Sequence, residues 1–272
     1  MDRNLKIGII GLGLIGGSIF KALSALQCDV SAVSKSECTI CKARGYSLDV
    51  SSVLYTLKKC DVIFVCTPMN KTIEILDELD SILPPSAIVV DTCSLKRFLC
   101  GKKRPYKFIP SHPMAGTEFS GFDNSFESLF QGAKWVITPN EGAEESDIKK
   151  VVEIIEVLGA EPIFSNPQEH DEAVSLISHM PMLVSQALFK TASDNSLALK
   201  LASSGFRDST RLALSNEEMA NDMVTINSDN VQNSLLKLYA SIGELLNADY
   251  PAQIKEIKKE RSNMYVNGKN IL

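Results

Sequence analysis

Histidine is the side chain whose unperturbed pKa lies nearest neutrality, and the 272-residue chain has three of them, His112, His170 and His179. His112 sits in Ser111-His112-Pro113-Met114-Ala115-Gly116-Thr117, which reads as a loop just after a short strand, and it is the candidate proton acceptor. His170 and His179 are nine residues apart, on opposite sides of one straight helix, so at most one faces a cleft unless Pro181 bends the segment. His170, beside Asp171 near a helix start, reads as a cap or packing residue and is left outside the candidate site. A further cluster, Gly205-Phe206-Arg207-Asp208-Ser209-Thr210-Arg211, carries two arginines four apart, the spacing of one helix face. Guanidinium forks suit carboxylate ligands, and salt bridging within the protein is their competing use.

An acceptor for hydride is also legible. Gly11-Leu12-Gly13-Leu14-Ile15-Gly16 is a G-x-G-x-x-G directly after an apolar strand and directly before a helix. The first glycine permits a tight turn, the second lets a pyrophosphate approach the backbone, and the third lets helix and strand pack closely. The reading is a dinucleotide site formed by Gly11, Gly13, Leu14, Ile15 and Gly16. About 20 residues on, where an NAD site carries an acid for the ribose 2′-hydroxyl, stand Ser34, Lys35 and Ser36. Two hydroxyls and an ammonium accept a 2′-phosphate, so NADP is the favoured cofactor and NAD the alternative. Thr67-Pro68 closes a later strand at the sheet edge where an open α/β fold places its ligand. No G-x-S-x-G and no H-E-x-x-H is present. Cys38 and Cys41 have C-x-x-C spacing but lack the second pair of a zinc site, and no metal is expected.

The elements that must position these residues fall into two halves. Strands are predicted at Leu5–Ile10, Val30–Val33, Val62–Cys66, Ala87–Val90, Lys107–Ile109, Trp135–Ile137 and Glu161–Phe164. Helices are predicted at Ile15–Leu26, Glu37–Arg44, Lys71–Ile82 and Glu144–Leu158. This alternation implies a Rossmann-type parallel sheet covered by helices over residues 1–166, several strands being apolar without alternation because both faces are buried. After Ser165-Asn166-Pro167 apolar residues recur at three- and four-residue intervals, which implies an all-α domain over 167–272. Within it Val231, Leu235, Leu238, Ile242 and Leu245 form a stripe able to bury against another helix of this chain or of a second subunit.

Composition narrows the classes. Twenty-eight basic against 33 acidic residues give a formal charge of -5, which disfavours nucleic-acid binding. Lys96 to Lys107 holds six basic residues and reads as a solvated loop. The longest early uncharged run, Ile7 to Phe20, is too short for a membrane span and is broken by five glycines. Seven cysteines without regular spacing point to a reducing, cytoplasmic compartment.

Taken in order, GLGLIGGS, CTP, DTCSLK, SHPMAGTE, EHDEAVSLISHMP and GFRDSTR make the chain resemble the prephenate and arogenate dehydrogenases of tyrosine biosynthesis, from Lys6 to about Asn227. The resemblance implies oxidative decarboxylation of a cyclohexadienyl acid, with His112 taking the hydroxyl proton, Ser94 hydrogen-bonding His112, and Arg211 binding the substrate carboxylate. It also implies that Glu118, with Thr117, organises the cleft entrance, that His179 lies near the substrate, and that the helical half forms a homodimer. Met182 stands where many prephenate-preferring members have a second histidine. With Ser34 in place of an acid, this resembles the NADP-dependent arogenate enzymes of cyanobacteria, so arogenate is favoured and prephenate is the alternative. Neither a chorismate mutase domain before the glycine loop nor a tyrosine-sensing domain after the helices is expected. Another two-domain reductase, or a nucleotide-binding module without turnover, is the remaining reading.

Overall fold

The computed structural model describes residues 5–117, 119–140, 142–247 and 249–264. The chain divides into two compact units, Met1–His170 and Asp171–Leu272. In the first, β1 (Lys6–Ile10), β2 (Asp29–Val33), β3 (Val50–Ser51), β4 (Val62–Val65), β5 (Ile88–Asp91) and β6 (Lys107–Ile109) build a sheet in the order β3-β2-β1-β4-β5-β6. Every pairing in it is parallel, as expected for a Rossmann-type domain. Strand order reverses between β1 and β4, and such a switch point opens a crevice at the carboxyl ends of the strands. The crossovers are α1 (Leu14–Ala25), α2 (Glu37–Ala43) and α3 (Met69–Leu79). All four residues of β4 and of β5 are buried, because helices cover both faces. The two-residue β3 and the 3-10 turn Leu54–Lys59 are too short to leave a periodic signal and are additions to the expected pattern.

A second sheet, absent from the sequence reading as a separate layer, follows in the order β7-β8-β9: β7 (Ser111–Pro113), β8 (Lys134–Ile137) and β9 (Glu161–Phe164). Strand β7 is antiparallel to β8, β9 is parallel to it, and α4 (Glu145–Val157) connects β8 to β9. His112 is therefore not a loop residue: it is the middle of β7, opposite Val136. Its extended backbone follows from Pro113, since the residue before a proline is pushed out of the helical region. Trp135 anchors this sheet. It is fully buried, with its ring 5.1 Å from Phe130 and 6.2 Å from Phe64 of β4.

The basic stretch Lys96 to Lys107 is in part the expected solvated loop, with Cys100, Gly101, Lys102 and Lys103 exposed, but several of its cations are engaged. Lys96 is buried against Asp91, Arg104 meets Asp77 at 2.5 Å and Asp80 at 3.0 Å, and Lys107 reaches Glu144 at 2.6 Å. Lys102 adds a bridge of 2.8 Å to Asp77, and this pair of cations holds the Asp77 carboxyl below its ordinary range. Four cations of the run, Lys96, Lys102, Arg104 and Lys107, thus face carboxylates of Asp91, Asp77, Asp80 and Glu144.

The segment from α5 (Pro167–Val174) onward is helical, as expected: α6 (Met180–Ser193), α7 (Ser196–Leu201), α8 (Ser204–Ser209), α9 (Glu217–Ile226), α10 (Ser228–Asn247) and α11 (Tyr250–Met264). Two local expectations fail. The segment holding His170 and His179 is not one straight helix, because Ser175–His179 is a π-helical turn. Pro181 has no N–H for the carbonyl of Ile177 and crowds it, and a wider turn relieves both problems. Arg207 and Arg211 do not share a helix face: α8 ends at Ser209, Thr210 leaves the helix at φ −105°, and Arg211 opens a separate 3-10 turn through Leu214. In α10 only Val231 of the expected stripe is buried, and Leu235, Ile242 and Leu246 are exposed. Among the described residues no helix is long and apolar enough to cross a membrane.

Candidate active site

The glycine loop begins where β1 ends. Gly11 has φ +89°, a conformation that L side chains rarely adopt, and a Cβ on it would stand 2.5 Å from the carbonyl oxygen of Cys66. A Cβ on Gly16 would lie 1.9 Å from the Gly11 carbonyl oxygen and 2.9 Å from the Cys66 side chain, so helix and strands meet there with no room for a methyl group. Gly13 is different: among the described residues nothing lies within 4 Å of its Cβ position. It is also the N-cap of α1, without a side-chain cap and with no acidic residue in the first turn. The N–H groups of Leu14 and Ile15 open that helix, so its positive end faces open space, the environment that binds a phosphate. The residues present therefore fit a dinucleotide pyrophosphate.

At the end of β2, Ser34 is buried and its Oγ accepts the N–H of Ser36 at 3.3 Å. Ser36 Oγ accepts the N–H of Thr39 at 3.2 Å and so caps α2, and Lys35 between them is exposed. After β4, Thr67 Oγ1 lies 3.0 Å from the Thr72 hydroxyl, which donates to the carbonyls of the same turn, and Pro68 starts α3. Thr72 also lies 3.2 Å from the Cys93 Sγ, and burial pushes that thiol far above its ordinary range. Burial likewise pushes Cys60 up to about 11. These thiols remain neutral and offer no thiolate nucleophile.

His112 is half-buried, and its Nδ1 lies 2.9 Å from Nε2 of His170, with the rings edge to face at 5.1 Å. The residue excluded from the sequence-derived site is therefore the partner of its central imidazole. His170 is 3% exposed on α5, whose start is fixed by Asn166 Oδ1 accepting the N–H of Glu169 at 2.9 Å. Ser94, expected to hydrogen-bond His112, is half-buried in the turn after β5. Thr117 is exposed, its Oγ1 accepting the N–H of Phe119 at 3.2 Å. Glu118 lies outside the described residues.

In the second unit His179 is fully buried at the end of the π-helical turn, with Nδ1 3.3 Å from Asn227 Nδ2. That amide is oriented from both sides: its Nδ2 donates to the Asp171 carbonyl at 2.9 Å and its Oδ1 accepts from Asn230 at 2.8 Å. Nδ1 of His179 consequently accepts and the imidazole proton sits on Nε2. Arg211 is exposed. Nearby, Phe189, Leu199, Phe206, Arg207 and Thr210 line a cavity of about 640 Å³, with the Phe189 and Phe206 rings stacked at 6.2 Å.

The loop geometry separates two roles. Gly16→Ala is expected to cost about 1 to 3 kcal/mol through overpacking, lowering the thermal midpoint by several degrees. Gly13→Ala should leave the midpoint in place and weaken dinucleotide binding. Calorimetry with and without nucleotide reads both, and an equal loss of stability in the two variants would contradict the assignment.

Comparison with known proteins gives the family. The nucleotide-binding domain of prephenate dehydrogenase matches residues 24–164, and the dimerization domain of prephenate dehydrogenase matches residues 166–257. A prephenate dehydrogenase of Bacillus subtilis is 29% identical over 243 residues, which are 82% of this chain and 64% of that protein. The chain thus spans less than about two thirds of that relative. A cyclohexadienyl dehydrogenase of Zymomonas mobilis is 28% identical, over 82% of this chain and 80% of its own length. The solved structure of Synechocystis arogenate dehydrogenase superposes with a TM-score of 0.80 at 33% identity, covering 95% of this chain and 98% of that one. Prephenate dehydrogenase from Aquifex aeolicus, in complex with hydroxyphenyl propionate and NAD+, gives a TM-score of 0.85 at 27% identity, covering 96% and 98%. With one family model covering more than half of the chain and a second covering most of the remainder, the chain belongs to the prephenate dehydrogenase family.

Proposed function

We propose that this chain is an NADP-linked dehydrogenase that oxidatively decarboxylates a cyclohexadienyl acid, converting L-arogenate to L-tyrosine, with prephenate to 4-hydroxyphenylpyruvate as the less favoured reaction. Residues 1–166 serve as the nucleotide domain and 167–272 as the substrate and dimerisation domain. The observation that carries the reading is the His112–His170 pair, an imidazole oriented through Nδ1 in the unit that also holds the glycine loop.

Bound at Gly11, Gly13 and Gly16 and the first turn of α1, a nicotinamide dinucleotide supplies the hydride acceptor. His112 does the proton work. Because Nδ1 is engaged by His170 Nε2, the acceptor role requires Nδ1 of His112 to carry the proton of that bond, which leaves the Nε2 lone pair to take the substrate hydroxyl proton. The imidazolium that forms keeps its donor bond to His170 and is stabilised by it. On the substrate, departure of hydride and proton converts the carbinol carbon to a carbonyl. The electron pair of the C–COO⁻ bond then flows through the ring to that oxygen, CO₂ leaves, and the oxygen takes a proton back to give a phenol. Arg211 anchors a substrate carboxylate through its guanidinium fork, and Glu118, Thr117 and His179 complete the substrate side.

NADP is supported by the end of β2. The hydroxyls of Ser34 and Ser36 each accept a backbone N–H, which leaves their own O–H protons to donate to a phosphate beside the Lys35 ammonium. Arogenate is supported by Met182, buried and without a polar group for a keto-acid side chain, and by the 33% identity to the Synechocystis arogenate dehydrogenase. A homodimer is supported by the exposed Leu235, Leu236, Tyr239, Ile242 and Leu246 of α10, an apolar face too large for a helix meant to stay in water. Seven free thiols fit a reducing, cytoplasmic setting.

Initial rates with arogenate and prephenate crossed against NADP and NAD should be fastest for arogenate with NADP, with one CO₂ released per reduced cofactor. A faster rate with prephenate and NAD would reverse both preferences. His112→Asn should lower turnover about 10² to 10⁴-fold with nucleotide affinity nearly unchanged. Arg211→Ala should raise the substrate KM roughly tenfold to a hundredfold, the worth of a charged hydrogen bond. Wild-type values in either variant would remove that residue from the mechanism. Light scattering should return twice the chain mass, and a monomer at micromolar concentration would reject the dimer.

A further inference from the structure

We propose that the buried Asp91–Lys96 ion pair is a positioning device for His112, acting through the backbone of Ser111. This rests on the reading of His112 as the proton acceptor. Both charged side chains are 0% exposed. Lys96 Nζ bonds Asp91 Oδ2 and donates to the carbonyl of Ser111, the peptide group that continues into the His112 nitrogen. Asp91 Oδ1 accepts the N–H of Ser111 at 3.0 Å, and the Ser111 hydroxyl donates to the Asp91 carbonyl at 2.6 Å while accepting the Trp135 indole N–H at 2.9 Å. Asp91 Oδ2 also accepts the N–H of Cys93 at 2.9 Å, which ties the turn carrying Ser94 to the same carboxylate. Every polar group of Ser111 is therefore taken by one buried cluster, one residue before His112.

The pair is poorly explained as a stabiliser of the fold. Two charges taken out of water recover their desolvation only with well-made bonds, and an apolar pair of the same volume holds strands together at least as well. What an apolar pair cannot do is hold one residue by both its backbone N–H and its backbone C=O. Ser111 is also where the chain leaves the six-stranded sheet, after β6 and Pro110, for the second sheet. Ladder bonds of the first sheet end there, and the ion pair supplies the register that they no longer impose. A displacement of about 1 Å at the reacting group costs up to about a hundredfold in rate, so the device acts on turnover more than on binding.

The test is a double-mutant cycle on the full-length enzyme. Lys96→Met is made with His112 intact and with His112→Asn, and so is Asp91→Asn/Lys96→Met, which leaves no unpaired buried charge. With His112 intact, kcat is expected to fall about 10- to 100-fold, while the substrate KM and the NADPH dissociation constant change less than about threefold. In the His112→Asn background the same substitutions should change the residual rate less than about threefold, because the group they position is gone. Equal losses in the two backgrounds, wild-type turnover with His112 intact, or failure of the doubly substituted chain to fold would each overturn the proposal. Wild-type turnover of His112→Asn alone would instead overturn the reading of His112 as the base.

Discussion

Two imidazole nitrogens 2.9 Å apart can hold only one proton between them, and that constraint on His112 and His170 organises the site. Which of the two carries that proton decides which nitrogen of His112 has a lone pair to offer. The pairing also sets demands on the fold. His112 and His170 are 58 residues apart in sequence, so a strand and a helix start must both be held to within hydrogen-bond tolerance. The strand is held by Trp135 and by the Asp91, Lys96 and Ser111 cluster; the helix start is held by the Asn166 cap.

The same division between a rigid frame and an open ligand position recurs at the glycine loop. Gly11 and Gly16 stand where a methyl group would strike backbone, so they fix how α1 seats on β1 and β4. Gly13 stands where a side chain would meet none of the described residues, at the positive end of a helix without a side-chain cap. Frame and ligand position are only two or three residues apart. In the helical unit the Asn227 amide, held by the Asp171 carbonyl and by Asn230, meets Nδ1 of His179.

Much of this was legible in the sequence, and the failures have a common cause. The glycine turn from Gly11 to Gly16 and the alternation of strands with helices are visible because they depend on neighbours close in the chain. His112 was identified as a residue but misplaced in a loop, because a three-residue strand leaves no period to read; Pro113 was the available signal for an extended backbone. His170 gives no signal of its own because its partner is remote in sequence. Lys96 reads as one member of a solvated basic run, although Asp91 five residues earlier, at the end of an apolar strand, is the sign that one lysine of that run has a buried carboxylate. Arg207 and Arg211 have the spacing of one helix face, and a helix that ends at Ser209 does not respect that spacing.

If His112 is the proton acceptor, as proposed, it waits as a neutral imidazole protonated on Nδ1. Long-range nitrogen–proton correlation NMR of the nucleotide-bound protein, with the His112 signals assigned by substitution, reports this directly. The account predicts a protonated Nδ1 and an unprotonated Nε2 on His112 above its titration midpoint. A proton on Nε2, with the Nδ1 lone pair directed at His170, would contradict it.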